Sequence, residues 1–211
     1  MTGADEAARA AAAARDILPL YEDRSAYFQE HRGRTLFERI WLDRFLRALP
    51  APRDVLDMGC GFGAPVASYL TQAGCAVTGV DGSAAMVAAF RETLPGSEAR
   101  HADMRRLALG RRFSGLLAWN SLFHLTPEDQ AAMFAVLKAH AAPGAVLMFT
   151  CGPGQGLAMG EMDGRALYHA SLSPDAYRAC MEAEGFEPLL FMAEDPACNG
   201  HSVWLARRRG S

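Results

Sequence analysis

The residues best placed to do chemistry gather first in one short stretch, Asp57-Met58-Gly59-Cys60-Gly61-Phe62-Gly63. An apolar run, Val55-Leu56, ends in an acid. Three glycines then alternate with other residues before helical periodicity resumes after Ala64-Pro65. Glycine accepts φ > 0 and lets a ligand approach the backbone closely. The N–H groups and dipole of the following helix favour a partly anionic ligand, or one rich in acceptors. The stretch therefore reads as a nucleotide-type cofactor site. Two more carboxylates stand at the ends of later expected strands: Asp81, with Gly82 behind it, and Asp103 in Ala102-Asp103-Met104. Gly59, Gly61 and Ala64 also satisfy G-x-G-x-x-A with an acid, Asp81, about twenty residues on, as a nicotinamide dinucleotide site requires. Two cofactors thus remain open at this point.

The elements that must position these residues follow from periodicity. Ala4 to Ile17 is strongly helix-forming and is expected to stop before Pro19. Two more helices are expected at Asp23 to His31 and Leu36 to Leu49, the second with Phe37, Ile40, Trp41, Phe45 and Leu49 on one side. Strands are expected at Asp54 to Met58, Ala76 to Val80, Glu98 to Ala102, Phe113 to Trp119 and Ala145 to Thr150. Helices separate them at about Ala64 to Ala73, to Thr93 behind a Ser83 cap, and to His140 behind a Thr126 cap. Pro143-Gly144 reads as a turn, and the glycine-rich Cys151 to Gly164 as a loop. That loop is no P-loop, since no Gly-Lys-Ser/Thr follows. A helix from Ser173 to about Glu184 precedes two strand-like runs, Phe186 to Met192 and Ser202 to Ala206. The rhythm predicts an α/β, Rossmann-like, doubly wound sheet of seven mostly parallel strands, with a C-terminal antiparallel hairpin and a helical N-terminal extension. Residues 1–50 form that extension, a lid packed on residues 51–211, in a single domain overall.

Composition narrows the partners. Half of the residues are hydrophobic, and the net charge of −3 gives no extended basic face of the kind nucleic acid requires. The five cysteines, Cys60, Cys75, Cys151, Cys180 and Cys198, are scattered with no CxxC spacing, as in reduced cytoplasmic proteins. Cys60 lacks an activating neighbour in sequence and is not read as a nucleophile. The alanine-rich start has no bulky apolar core and opens with acids, so neither export nor a membrane span is expected. No metal-site spacing joins the six histidines.

Taken together, the motifs resemble those of the class I S-adenosylmethionine-dependent methyltransferases. Val55 to Gly63 is similar to the first motif of that family, Val77-Thr78-Gly79-Val80-Asp81 to the second, Ala102-Asp103-Met104 to the third, and Leu117 to His124 to the fourth. The resemblance spans roughly Leu49 to Arg207. It implies S-adenosylmethionine as cofactor, in-line transfer of its methyl group, and a small-molecule acceptor. Asp57 and the loop Gly59, Cys60, Gly61 would hold the methionine part, and Asp81, with Gly82 behind it, would accept from both ribose hydroxyls. Asp103 and Met104 would meet the adenine, and Asn120 would lie near the cofactor amine. Tyr27 and Arg34, in the preceding helices, would act as lid residues over the cofactor. Asn120 departs from the Pro-Pro-aromatic pattern of nucleic-acid amino-methylating enzymes, because Ser121-Leu122-Phe123 follows it. For a general base, His124 and His169 are the candidates, histidine being suited to proton transfer near neutral pH. Tyr21, Phe28, Trp119 and Phe123 read chiefly as packing residues, with a pocket wall as the alternative. An NAD(P)-dependent oxidoreductase stands as the rival, although no Tyr-x-x-x-Lys pair accompanies the loop. A non-catalytic cofactor-binding protein of the same fold is a second rival.

Overall fold

The sheet grows outward from the buried run Asp54–Met58 (β1). In the computed structural model, which describes residues 3–210, β1 lies between β2 (Ala76–Asp81) and β4 (Phe113–Ala118), parallel to both. β3 (Glu98–His101) extends one side. β5 (Ala141–Cys151) extends the other, followed by β9 (His201–Arg208) and β8 (Phe186–Asp195), for an order of 3-2-1-4-5-9-8. β9 runs antiparallel to both of its neighbours, so the expected C-terminal hairpin closes one edge of the sheet. β4 is buried at every residue, as a strand covered by helices on both faces must be.

Side chains alternate between two cores. Val55 and Leu117 face a cluster that includes Trp41, Phe45, Leu70 and Phe90. Those residues come from α4 (Arg39–Ala48), α5 (Val66–Gln72) and α6 (Ala84–Thr93). Leu56 and Leu116 face the other cluster, with Phe134 and Leu137 of α7 (Pro127–His140) and Tyr177 and Met181 of α8 (Pro174–Ala183). The two predicted caps, Ser83 and Thr126, are present, and Ser173 adds a third. Ser83, Thr126 and Ser173 accept from the N–H groups of Met86, Asp129 and Ala176. Each such cap is worth about 1 kcal/mol.

Four expectations are corrected. Pro19 does not end the first helix. α1 (Gly3–Arg15) is followed by α2 (Ile17–Asp23), where Pro19 occupies the first turn, whose N–H groups have no helical partner to lose. α3 spans only Ser25–His31, and α4 starts at Arg39 rather than Leu36. Pro143-Gly144 is not a free turn but an irregularity inside β5, opposite the register shift between Phe113 and Gly115. The segment read as a loop holds β6 (Gly156–Met162), paired with β7 (Arg165–Ser171) in a separate two-stranded sheet. Asp163 and Gly164 join them with φ of 48° and 75°, the two-residue Asp-Gly turn that favours a hairpin.

That hairpin packs on α1 and α2 through Ala10, Ala13, Ile17, Tyr168 and Ala170. Arg165 pairs with Asp16 and Asp23, and Arg24 with Asp163 at 2.7 Å. Glu22 accepts from the Ser83 hydroxyl at 2.6 Å and from the Ala85 N–H, which seats α2 on the start of α6. α1, α2 and the β6–β7 hairpin thus form one roof over the ends of β1, β2 and β4.

Candidate active site

The glycine stretch forms a loop pinned beneath this roof. The N–H groups of Gly59 and Cys60 both donate to the Val80 carbonyl, at 2.8 and 3.1 Å. Gly59 has φ of 75°, and a Cβ there would stand 2.3 Å from the Ser121 Cβ. We expect Gly59→Ala to destabilise the fold by roughly 2–4 kcal/mol, from overpacking plus strain at positive φ, measured by chemical denaturation. Gly61 differs, because a Cβ there would approach nothing closer than the Phe28 ring at 3.8 Å. Its bare backbone faces open space, and its N–H donates to Asp81 Oδ2 at 2.9 Å.

That open space is a cavity of about 540 Å³. Asp57 and Asp81 enter it from the ends of adjacent strands. Asp81 Oδ1 accepts from the Ser83 N–H at 2.9 Å, so each carboxylate oxygen holds one backbone donor and keeps acceptor capacity. Burial raises the Asp81 carboxyl above its usual range, against the pull of those N–H groups. Burial, and then the charge of Asp81, push Asp57 up to about 7. Asp57 is 3% exposed. Both acids are therefore held where a ligand with several donors would relieve them.

Of the other expected residues, Gly59, Cys60, Gly61, Gly82, Met104, Asn120, His124 and His169 also line the cavity. Gly82 sits under Leu18, whose Cδ2 would lie 2.4 Å from an added Cβ. Burial raises the Cys60 thiol well above its normal value, which leaves it unreactive. Asn120 adopts φ of 52°, and its N–H donates to Thr150 Oγ1 at 2.8 Å. Asp103, Tyr27 and Arg34 do not line it. The Asp103 side chain caps the turn Met104–Arg106 and pairs with Arg105 at 2.6 Å, so Met104 and Arg105 form the wall instead. Tyr27 stacks on His31 with ring centroids 3.9 Å apart. Phe28 and Arg32 of the same helical segment take the lid positions assigned to Tyr27 and Arg34, because the helix presents its neighbouring face.

His124, in the short helical turn after β4, has both ring nitrogens engaged. Nδ1 lies 2.9 Å from the Tyr168 carbonyl. A carbonyl only accepts, so Nδ1 carries the proton. Nε2 is then an acceptor, and Tyr21 donates its hydroxyl to it at 2.9 Å. Burial, reinforced by nearby His169, pushes the His124 pKa down to about 4 despite the carbonyl, so the imidazole is neutral at neutral pH. Burial, then the charge of Asp81, raises the Tyr21 phenol, keeping it protonated. Burial also lowers His169, whose ring centroid is 4.9 Å from that of His124. The site thus presents a neutral Tyr–His pair at one end and two acids with a glycine loop at the other. The Tyr21 contact joins residues 103 positions apart, and no local sequence signal carries it.

This combination, a parallel sheet in the order above with a glycine loop after β1 and an acid after β2, defines the chain as a protein of the Rossmann-like methyltransferase fold. Residues 55–144 match the methyltransferase domain family. A dTDP-3-amino-3,6-dideoxy-alpha-D-glucopyranose N,N-dimethyltransferase of Streptomyces fradiae is 35% identical over 106 residues, 48% of this chain and 40% of that protein. A related dimethyltransferase of Streptomyces venezuelae is 31% identical over 47% of this chain and 42% of its own length. The match covers less than half of either curated relative. Among solved structures, the sugar N-methyltransferase KedS8 from Streptoalloteichus sp. ATCC 53650 superposes with a TM-score of 0.71 at 21% identity, covering 87% of this chain and 92% of that one. Among the described residues no helix is long and apolar enough to cross a membrane, and no cluster has the make-up of a metal site.

Proposed function

We propose that the protein is an S-adenosylmethionine-dependent methyltransferase acting on the nitrogen of a small-molecule amine. The observation that carries this reading is the Asp81 carboxylate, hydrogen-bonded to the Gly61 N–H inside a cavity that also holds the Tyr21–His124 pair. The residues present fit the cofactor. The bare face of Gly61 admits a ligand against the backbone, and Asp81 retains acceptor sites for two ribose hydroxyls. Asp57 would stand at the methionine end with Gly59 and Cys60, Gly82 below, Met104 beside the adenine, and Asn120 near the cofactor amine. The relatives' names, N,N-dimethyltransferase and sugar N-methyltransferase, support nitrogen as the acceptor atom.

When bound, S-adenosylmethionine supplies a methyl group activated by its sulfonium. The chain's own contribution is alignment and exclusion of water, effects that supply several kcal/mol. Tyr21 Oη has committed its proton to His124 Nε2, so its remaining lone pairs are free to accept an N–H of a neutral amine and orient the nitrogen. A neutral amine needs no deprotonation before attack. A weakly basic imidazole therefore suffices, whereas a hydroxyl acceptor would need a stronger base. The methylated nitrogen leaves as the ammonium and gives up its proton to water, while neutral His124 Nε2 holds the Tyr21 hydroxyl proton and so keeps Tyr21 Oη turned as an acceptor. His169 lies beside this pair as a contact for the acceptor. Calorimetry with S-adenosylhomocysteine beside NADH tests the reading. Micromolar binding of the former is expected, and binding of NADH alone would replace the reading with the oxidoreductase.

A further inference from the structure

The part of the cavity lined by α1 and β7 has a character that the cofactor does not need. It is walled by Ala11, Ala14, Leu167 and Phe123, with Tyr21 and His169 as its polar groups. The cations around it are already matched by carboxylates. Arg32 is hydrogen-bonded to the fully buried Glu38. Arg105 is held by Asp103 at 2.6 Å and by Asp129 at 3.1 Å. In the roof, Arg165 pairs with Asp16 and Asp23, and Arg24 with Asp163. Among the lining arginines Arg15, exposed at the end of α1, is the one outside these pairs. A sugar nucleotide brings two phosphate charges, which proteins meet with several charge-assisted donors. One rim arginine does not make such a subsite, and desolvation pushes both buried His124 and half-buried His169 toward the neutral form.

We infer that the acceptor is an amine carried on a compact apolar scaffold without phosphate, seated beneath the packed α1 and β7 with its nitrogen at Tyr21 Oη. This rests on the methyltransferase reading, and it parts company with the dTDP-linked substrates named for the curated relatives. The apolar scaffold of such an amine gains by leaving water for a wall of alanine, leucine and phenylalanine, and its nitrogen, entering as the neutral form, exchanges water for Tyr21 Oη. A diphosphate would have to pull Arg105 from two carboxylates or remain unpaired.

The test is calorimetry on the full chain saturated with S-adenosylhomocysteine, with 2-phenylethylamine and a dTDP-linked 3-amino sugar as separate titrants. The apolar amine is expected to bind at least about tenfold more tightly. A nucleotide sugar that binds more tightly, or less than about tenfold more weakly, overturns the inference. So does absence of phenylethylamine binding to the loaded protein. Failure of S-adenosylhomocysteine itself to bind, seen before any amine is added, removes the methyltransferase reading and the inference with it. The two failures are therefore distinguishable.

Discussion

Replacing Asp81 by alanine is expected to lower the affinity for S-adenosylhomocysteine by at least about 100-fold. The carboxylate would accept from two ribose hydroxyls, and hydrogen bonds to a charged group are worth about 1.5–3 kcal/mol each. Losing both costs roughly 3–6 kcal/mol, which sets the expected loss. The same change deprives the Gly61 N–H of its acceptor, so the loop loses one of its ties as well. The variant should still fold, because Asp81 is buried with its carboxyl raised by that burial and its charge opposes that of Asp57. Removing it relieves the neighbour. Asp81→Asn keeps one acceptor oxygen and should lose only about tenfold. Calorimetry on the three proteins, with circular dichroism to confirm folding, gives the answer. Unchanged affinity in Asp81→Ala would refute the ribose assignment.

The second large effect is expected at the Tyr–His pair. His124→Ala should reduce kcat by about 10²-fold, and Tyr21→Phe by about tenfold or more, with little change in cofactor affinity. Phenylalanine keeps the ring packed against Phe28, at a centroid distance of 5.4 Å, but removes the oxygen that would orient the amine. The pH profile separates this role from ordinary general-base catalysis. A free histidine would lose its basic form as the pH fell through about 6.5. His124 is pushed down to about 4, so it stays neutral across that range and wild-type turnover should show no histidine step near 6.5. The remaining pH dependence should then follow the acceptor amine, which reacts as the neutral form. A step near 6.5 that vanished in His124→Ala would contradict the neutral pair. Full turnover in both variants would remove the pair from the mechanism.

How much of this was legible in the chain depends on the range of the interaction responsible. Asp57, the glycines and Asp81 announced themselves because a strand, a tight turn and a helix start are local events. Periodicity of two in β1 and helical periodicity in α6 follow from which side chains meet the core. The parallel run of the first five strands followed from βαβ alternation, since parallel neighbours need a helix between them, whereas their order came from the tertiary structure. The β6–β7 hairpin was missed although Asp163-Gly164 is a hairpin turn. Gly156 and Gly160 interrupt β6, and its exposed Leu157 and Met159 lack a core face to mark them.

The sequence by itself determined the sheet, the loop and the two acids at its edge. Only the tertiary structure decided that Phe28 and Arg32, rather than Tyr27 and Arg34, face the cavity, and that Asp103 is engaged by Arg105. It also decided the Tyr21–His124 pair. His124 could be named from its strand end, but its proton position, its neutrality and its partner come from burial beside Tyr168 and Tyr21. Those contacts exist because the N-terminal helices and the hairpin close over the strand ends. No local rule encodes an encounter between residues so far apart in the chain, and a pKa is set by the surroundings the fold supplies.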